Sequence, residues 1–166
     1  HEAAAALCRK LGHRNCKALL EVKVVSWWYK GLTADEMKLL GTLGSVLPAL
    51  KTLSLIEPAA GPDGVQQLAA GLGAGTLPAV TTLMIFGGTH VGDAGASALA
   101  AALGQGALPR LKHLRLETAA IGDAGLLALA PALRRRPALE HLDLFGNPVG
   151  DEGLAALVAP PPPAGA

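Results

Sequence analysis

Leu139-Glu140-His141-Leu142-Asp143-Leu144-Phe145-Gly146-Asn147 decides the fold, because its spacing of apolar residues returns upstream at a near-constant interval. With the first leucine as an anchor, apolar residues recur at offsets three and five: Leu19/Val22/Val24, Leu50/Leu53/Leu55, Val80/Leu83/Ile85, Leu111/Leu114/Leu116 and Leu139/Leu142/Leu144. Successive anchors lie 31, 30, 31 and 28 residues apart. A period in this range predicts a solenoid, since one unit of that size cannot bury its own apolar faces and must stack on its neighbours.

A second half-motif follows each copy. Val91-Gly92-Asp93-Ala94-Gly95, Ile121-Gly122-Asp123-Ala124-Gly125 and Val149-Gly150-Asp151-Glu152-Gly153 are clean versions; Gly61-Pro62-Asp63-Gly64 and Leu32-Thr33-Ala34-Asp35-Glu36 are worn ones. The Asp is placed to cap a helix N-terminus by accepting a backbone N–H. Behind it, Leu68/Leu72, Leu99/Leu103 and Leu129/Leu133 sit four apart, which predicts one buried helical face. Pro48, Pro78, Pro109 and Pro137 each stand two residues before the next anchor and end that helix. Each unit therefore reads as strand, loop, helix and return.

The LxxLxLxxN core with its (I/V)-G-D-x-G helix start resembles the ribonuclease-inhibitor type of leucine-rich repeat, also found in Ran GTPase-activating proteins and in the sensor arrays of NOD-like receptors. The likeness runs from about Leu7 to Leu157. It implies an α/β leucine-rich-repeat solenoid of about five repeats: a right-handed βα arc with a parallel sheet on the concave side and helices outside. Residues 1–158 are expected to form this domain and 159–166 a Pro/Ala-rich tail. The repeat marks architecture more strongly than function, because the same unit serves inhibitors, receptors, GTPase regulators and ubiquitin-ligase adaptors.

Composition narrows the remaining classes. A net charge of +1 provides no field to attract nucleic acid or an anionic membrane, so neither is expected as a partner. No apolar run is long enough to span a bilayer, and no signal peptide is evident. The chain opens on His1, partway through a unit, and is expected to be a piece of a longer one, with the first helix an ordinary repeat helix rather than a dedicated cap. Cys8 and Cys16 lack metal-ligand companions and are too few for a disulfide scaffold. They are expected to be reduced structural thiols in a cytoplasmic protein. The four-proline run Pro160–Pro163 reads as a terminator or linker, since it has no flanking basic residue of the kind SH3-like partners favour.

Two regions depart from the repeat. The first unit carries Trp27-Trp28-Tyr29 after its strand; Trp27 is expected to point inward, and Trp28 and Tyr29 outward, since three consecutive rings cannot share one core. In the family an asparagine at the ninth position satisfies backbone groups of the turn, but here that position reads Trp27, Pro58, Gly88, Ala119 and Asn147. Four of the five turns must find other partners, because a buried unpaired backbone group costs about 1–3 kcal/mol. Irregular, mobile loops are expected there.

In such a solenoid, equal offsets in adjacent units become neighbours about 4.8 Å apart. The outward rows are then Glu21, Thr52, Thr82, His113, His141 at position three; Lys23, Ser54, Met84, Arg115, Asp143 at position five; and Val25, Ile56, Phe86, Glu117, Phe145 at position seven. Position seven should be polar in a mere spacer, yet four of its five occupants are apolar. All five aromatic residues of the chain fall on this row or just after a strand. Such a patch either marks an interaction face or packs on itself along a tight curve.

Opposite charges are expected to meet at Lys112/Glu140 and Arg115/Asp143. His113 and His141 stand side by side near Glu117 and Asp143, but a curved surface without nucleophile or lid supports neither catalysis nor a metal site, and a pH-sensitive contact fits better. Arg134-Arg135-Arg136 closes a helix, where cations are favoured by the dipole. Gly71-Leu72-Gly73-Ala74-Gly75 follows a helix and so is no phosphate-binding loop.

The expected function is non-catalytic: a module binding a protein on its concave face through Trp28, Tyr29, Ile56, Met84, Phe86, His113, Arg115, Glu117, His141, Asp143 and Phe145, without cofactor or metal. The alternative is a fragment of a Ran-type GTPase-activating protein, against which the Pro/Ala tail counts, since that family carries an acidic one.

Overall fold

The computed structural model describes residues 2–86 and 89–158; Gly88 and the 159–166 tail lie outside the described residues. Five short strands, β1 (Val24–Trp28), β2 (Thr52–Ile56), β3 (Thr82–Ile85), β4 (His113–Arg115) and β5 (His141–Asp143), pair in parallel and in sequence order. Between and around them run α1 (Glu2–Lys10), α2 (Ala34–Thr42), α3 (Gly64–Gly71), α4 (Gly92–Gly104), α5 (Asp123–Arg134) and α6 (Asp151–Val158). This is the α/β leucine-rich-repeat solenoid expected, with five strand-bearing units.

The expected register holds in units two to five. Leu53, Leu83, Leu114 and Leu142 lie abreast. The inward residues Leu53, Leu55, Leu83, Ile85, Leu114 and Leu116 are at most 2% exposed, so one apolar seam runs between sheet and helices. The first unit is shifted by three: Val25 pairs with Leu53 and Trp27 with Leu55, which makes Val22 the anchor and Leu19 a buried residue of the preceding turn. Both registers place apolar residues at the required offsets, which is why the sequence admits either. An odd shift exchanges the two faces of a strand. Glu21, Lys23 and Val25 therefore leave the outward rows, and Val24, Ser26 and Trp28 take those places.

Helices stack closely where they are small. A Cβ on Gly41 of α2 would stand 2.4 Å from the Leu68 carbonyl oxygen of α3, and one on Gly71 would stand 2.3 Å from the Lys38 oxygen. Backbone meets backbone there, and no side chain fits between.

The Gly-Asp-x-Gly motif caps a helix, but not its own. The Asp93 Oδ1 in α4 accepts the amides of Gly122 (2.7 Å) and Gly125 (2.9 Å) at the start of α5. Asp123 does the same for Gly150 (2.7 Å) and Gly153 (3.1 Å) at the start of α6. A Cβ on Gly125 or Gly153 would approach the carboxylate oxygen to 2.6 Å, so the second glycine is required by the Asp of the unit before it. The worn copies lack this device: Asp63 makes no side-chain cap, and in the first unit Thr33, not Asp35, caps α2 through a capping box with Glu36. On the far side, Arg136 reaches back to the carbonyls of Leu103 (2.7 Å), Ala107 (2.6 Å) and Leu108, and so closes the end of α4 from the next unit.

The loops after the strands find substitutes for the missing asparagines. Asn147 donates to the Leu116 (2.6 Å) and Leu144 (2.9 Å) carbonyls and accepts from the Ala119 (2.9 Å) and Ile121 (3.0 Å) amides, spanning two units. In the second unit the buried Glu57 takes that role one position earlier, its carboxylate accepting the Lys30 (3.0 Å) and Gly31 (2.9 Å) amides. Its own amide donates to the Thr89 hydroxyl.

The first helix and the turn after it pack into the same core. Leu7, Cys8, Leu11, Leu19 and Trp27 are buried in the common core, and the Trp27 indole N–H donates to His13 Nε2 at 3.3 Å. Trp27 thus points inward as expected. The reading of Cys8 and Cys16 as free thiols is overturned: they form a disulfide, their Cα atoms 5.3 Å apart, because the 3-10 turn Cys16–Leu19 folds back under α1. Paired cysteines no longer point to a reducing compartment. At the other end, Leu154 is 47% exposed where its counterpart Leu126 is fully buried.

Two outcomes follow from these contacts. Asp93→Ala and Asp123→Ala should each lower unfolding stability by about 1 kcal/mol, as loss of an N-cap does, whereas Asp151→Ala, with no described glycine amide to bind, should stay within about 0.5 kcal/mol in chemical denaturation. Equal losses for all three would refute the cross-unit cap. Separately, partial burial first and the nearby Lys30 second hold the His13 pKa below its ordinary value of 6.5. The unfolded chain then binds this proton more tightly, so the stabilisation is full above that value and is lost as pH falls through the folded-state pKa. Tryptophan fluorescence should report loosening of the first unit under mild acid, and His13→Phe should reduce that pH dependence.

Candidate functional site

The side chains that leave the sheet away from the helices are half-buried or exposed along its whole width, apart from the buried Ser54. Trp28, now on position seven, is 46% exposed and meets the Phe86 ring edge-on, centroids 6.5 Å apart, while its indole N–H donates to the Ser54 hydroxyl at 2.9 Å. Ile56, half-buried, lies on the strand between them. The Arg115 guanidinium stands over the Phe86 ring, 5.8 Å from its centre, which continues the aromatic row into the charged one.

Arg115 is the hub of the polar half. It donates to Glu117, lies 3.6 Å from Asp143 and contacts the Met84 sulfur at 3.7 Å. The Phe145 amide donates to Asp143 at 3.0 Å and, with Glu117 and Arg115 beside it, holds that carboxyl below the usual carboxylate range. His113 and His141 pair across β4 and β5 with ring centres 5.8 Å apart. Thr82, Met84, His113, Arg115, His141 and Asp143 together line an open cleft of about 330 Å³.

Nine of the eleven residues expected at the site are gathered into this continuous surface. Tyr29 and Phe145 stand apart at opposite edges, 68% and 77% exposed, and neither makes a ring contact among the described residues. Tyr29 holds a left-handed backbone (φ 53°), as do Thr118 and Gly146 at the same repeat position, so a bulky ring occupies a place that favours glycine. Ser54 and Thr82 join the site without having been singled out; both belong to rows that the repeat spacing lays out. One expected pair is corrected. Lys112 and Glu140 are neighbours through the main chain, the Glu140 amide donating to the Lys112 carbonyl at 2.8 Å, but their side chains form no ion pair, because both extend into solvent at the edge of the sheet.

Among the described residues no group of three or more His, Cys, Asp or Glu is placed to hold a metal ion, and no helix is long and apolar enough to cross a membrane.

A family model described as Leucine Rich repeat matches residues 108–130 and 137–158, the return, strand and helix start of the last two complete units. Proteins with such repeats generally mediate protein–protein interaction and are typically non-catalytic. No curated protein matches the chain. The matched pair continues without a break into three further strand-bearing units in one parallel sheet, so the two matches and the five-strand α/β architecture both support a leucine-rich-repeat solenoid.

Proposed function

We propose that the chain is a protein-binding module of the ribonuclease-inhibitor repeat type and that its partner lies on the open face of the sheet. The observation that carries this reading is the row of exposed Trp28 and half-buried Ile56 and Phe86, joined through Arg115 to the cleft at His113 and His141. Aromatic rings and an arginine with partly satisfied donors are the residues that most often anchor interfaces. The alternative reading as packing of the row on itself accounts for Trp28 against Phe86, but not for the exposure of Tyr29 and Phe145. The repeat type rests on the length of the units and on the Gly-Asp-x-Gly helix starts.

Peptides selected by display against the chain test this directly. Their affinity should fall about 10- to 30-fold with Phe86→Ala or Trp28→Ala, the loss typical of a hot-spot ring, and should be unaffected by Leu127→Ala on the helical side, where the residue is 40% exposed. Tyr29→Gly should weaken binding without lowering the unfolding midpoint, since glycine suits φ 53° better. Peptides that follow Leu127 instead of Phe86 would place the interface on the helices. A hydrolysis assay with small GTPases separates the module from a Ran-type activator: no acceleration is expected, and acceleration would replace the binding reading with the regulatory one.

A further inference from the structure

The strand starts carry a second row that neither the aromatic face nor the ion pairs use. Main-chain bonds set it out: the Lys51 amide donates to Lys23 (2.8 Å), Thr81 to Lys51 (2.9 Å), Lys112 to Thr81 (2.8 Å) and Glu140 to Lys112 (2.8 Å). Lys23, Lys51, Thr81, Lys112 and Glu140 are therefore abreast, and three of the five are lysines. Beneath them opens a hollow of about 490 Å³ lined by Lys51, Arg110, Lys112 and Thr81 over a floor that includes Ala79, Pro109 and Ala138. Among the described residues no carboxylate lies within 4 Å of Lys51, Arg110 or Lys112, although Glu140 follows in the row and Asp143 lies further along the same face.

We propose that this hollow receives the carboxylates of an acidic peptide segment whose following apolar residue reaches Phe86; it rests on the open-face reading above and gives that partner its chemistry. Like charges held together without counter-ions leave a local positive potential that a partner can neutralise. Lys51 and Lys112 stand two strands apart, roughly 10 Å at the ordinary strand spacing. That spread is wider than one compact anion spans. Among the described residues no helix N-terminus borders the hollow to supply converging amides, and its apolar floor fits the aliphatic stems of Asp and Glu. From this row to position seven is five residues along a strand, roughly 16 Å. A peptide lying along the strands would thus meet the lysines at one end and the Trp28–Phe86 pair at the other.

The probe is a fluorescently labelled seven-residue peptide with Glu at its first and third positions and Phe at its seventh, measured by anisotropy. Its affinity should fall at least about tenfold on replacing both Glu by Gln, or on the double substitution Lys51→Glu/Lys112→Glu at exposed positions. It should also weaken as NaCl rises from about 50 to about 300 mM. Binding indifferent to the lysines and the glutamates but lost with Phe86→Ala would overturn the acidic pocket and leave the aromatic face standing. Binding that needs the lysines but ignores Phe86→Ala would support the pocket and sink the shared face. Displacement by inorganic phosphate at matched ionic strength would show a site for free anions and refute the peptide, as would failure of the probe to bind while display-selected peptides still do.

Discussion

No unit of this chain can be stable alone, and that constraint governs the rest. Each supplies one strand of three to five residues and one helix of eight to thirteen, with apolar residues facing a gap that only the next unit fills. Burial of that seam provides the favourable free energy, and the polar groups decide which way the units meet. The carboxylates of Asp93 and Asp123, the amide of Asn147, the guanidinium of Arg136 and the buried Glu57 all bind backbone groups of an adjacent unit. A helix end or turn is therefore completed by its neighbour, so alignment is specified by hydrogen bonds while attraction is supplied by leucine.

Much of this was legible because leucine at fixed offsets is a redundant signal. Units two to five repeat it without ambiguity, and the strand register, the buried leucine pairs and the outward rows come out as the spacing requires. The partners of polar side chains were not legible. Asp93 was readable as a cap, but a one-dimensional pattern favours the nearest helix, and only the stacked geometry brings α5 within reach. The same holds for Glu57 in place of asparagine, and for Cys8 and Cys16, which a short return brings together.

The first unit shows how much of the open face hangs on register. Val22, Val24 and Val25 satisfy the apolar rule in two alignments, and the sequence offers no second glycine motif nearby to choose between them. What decides is volume and closure: Trp27 fills the space opposite Leu55, while Leu19 is needed under the turn that the disulfide ties to α1. The three-residue shift exchanges Glu21, Lys23 and Val25 for Val24, Ser26 and Trp28 on the open face, and that exchange creates the Trp28–Phe86 contact.

The two ends of each strand then acquire opposite character from one cause. At the strand starts the chain has just left a helix and runs along the surface, so position two is solvated and tolerates lysine. At the strand ends, position seven carries the rings of Trp28 and Phe86, which meet edge-on across the intervening strand. A parallel sheet adds these preferences in register, converting a weak bias in each unit into a cationic edge and an aromatic edge. Arg115 lies between them, its charge divided among Glu117, Asp143 and the Phe86 ring. One side chain therefore ties the polar half of the face to the aromatic half.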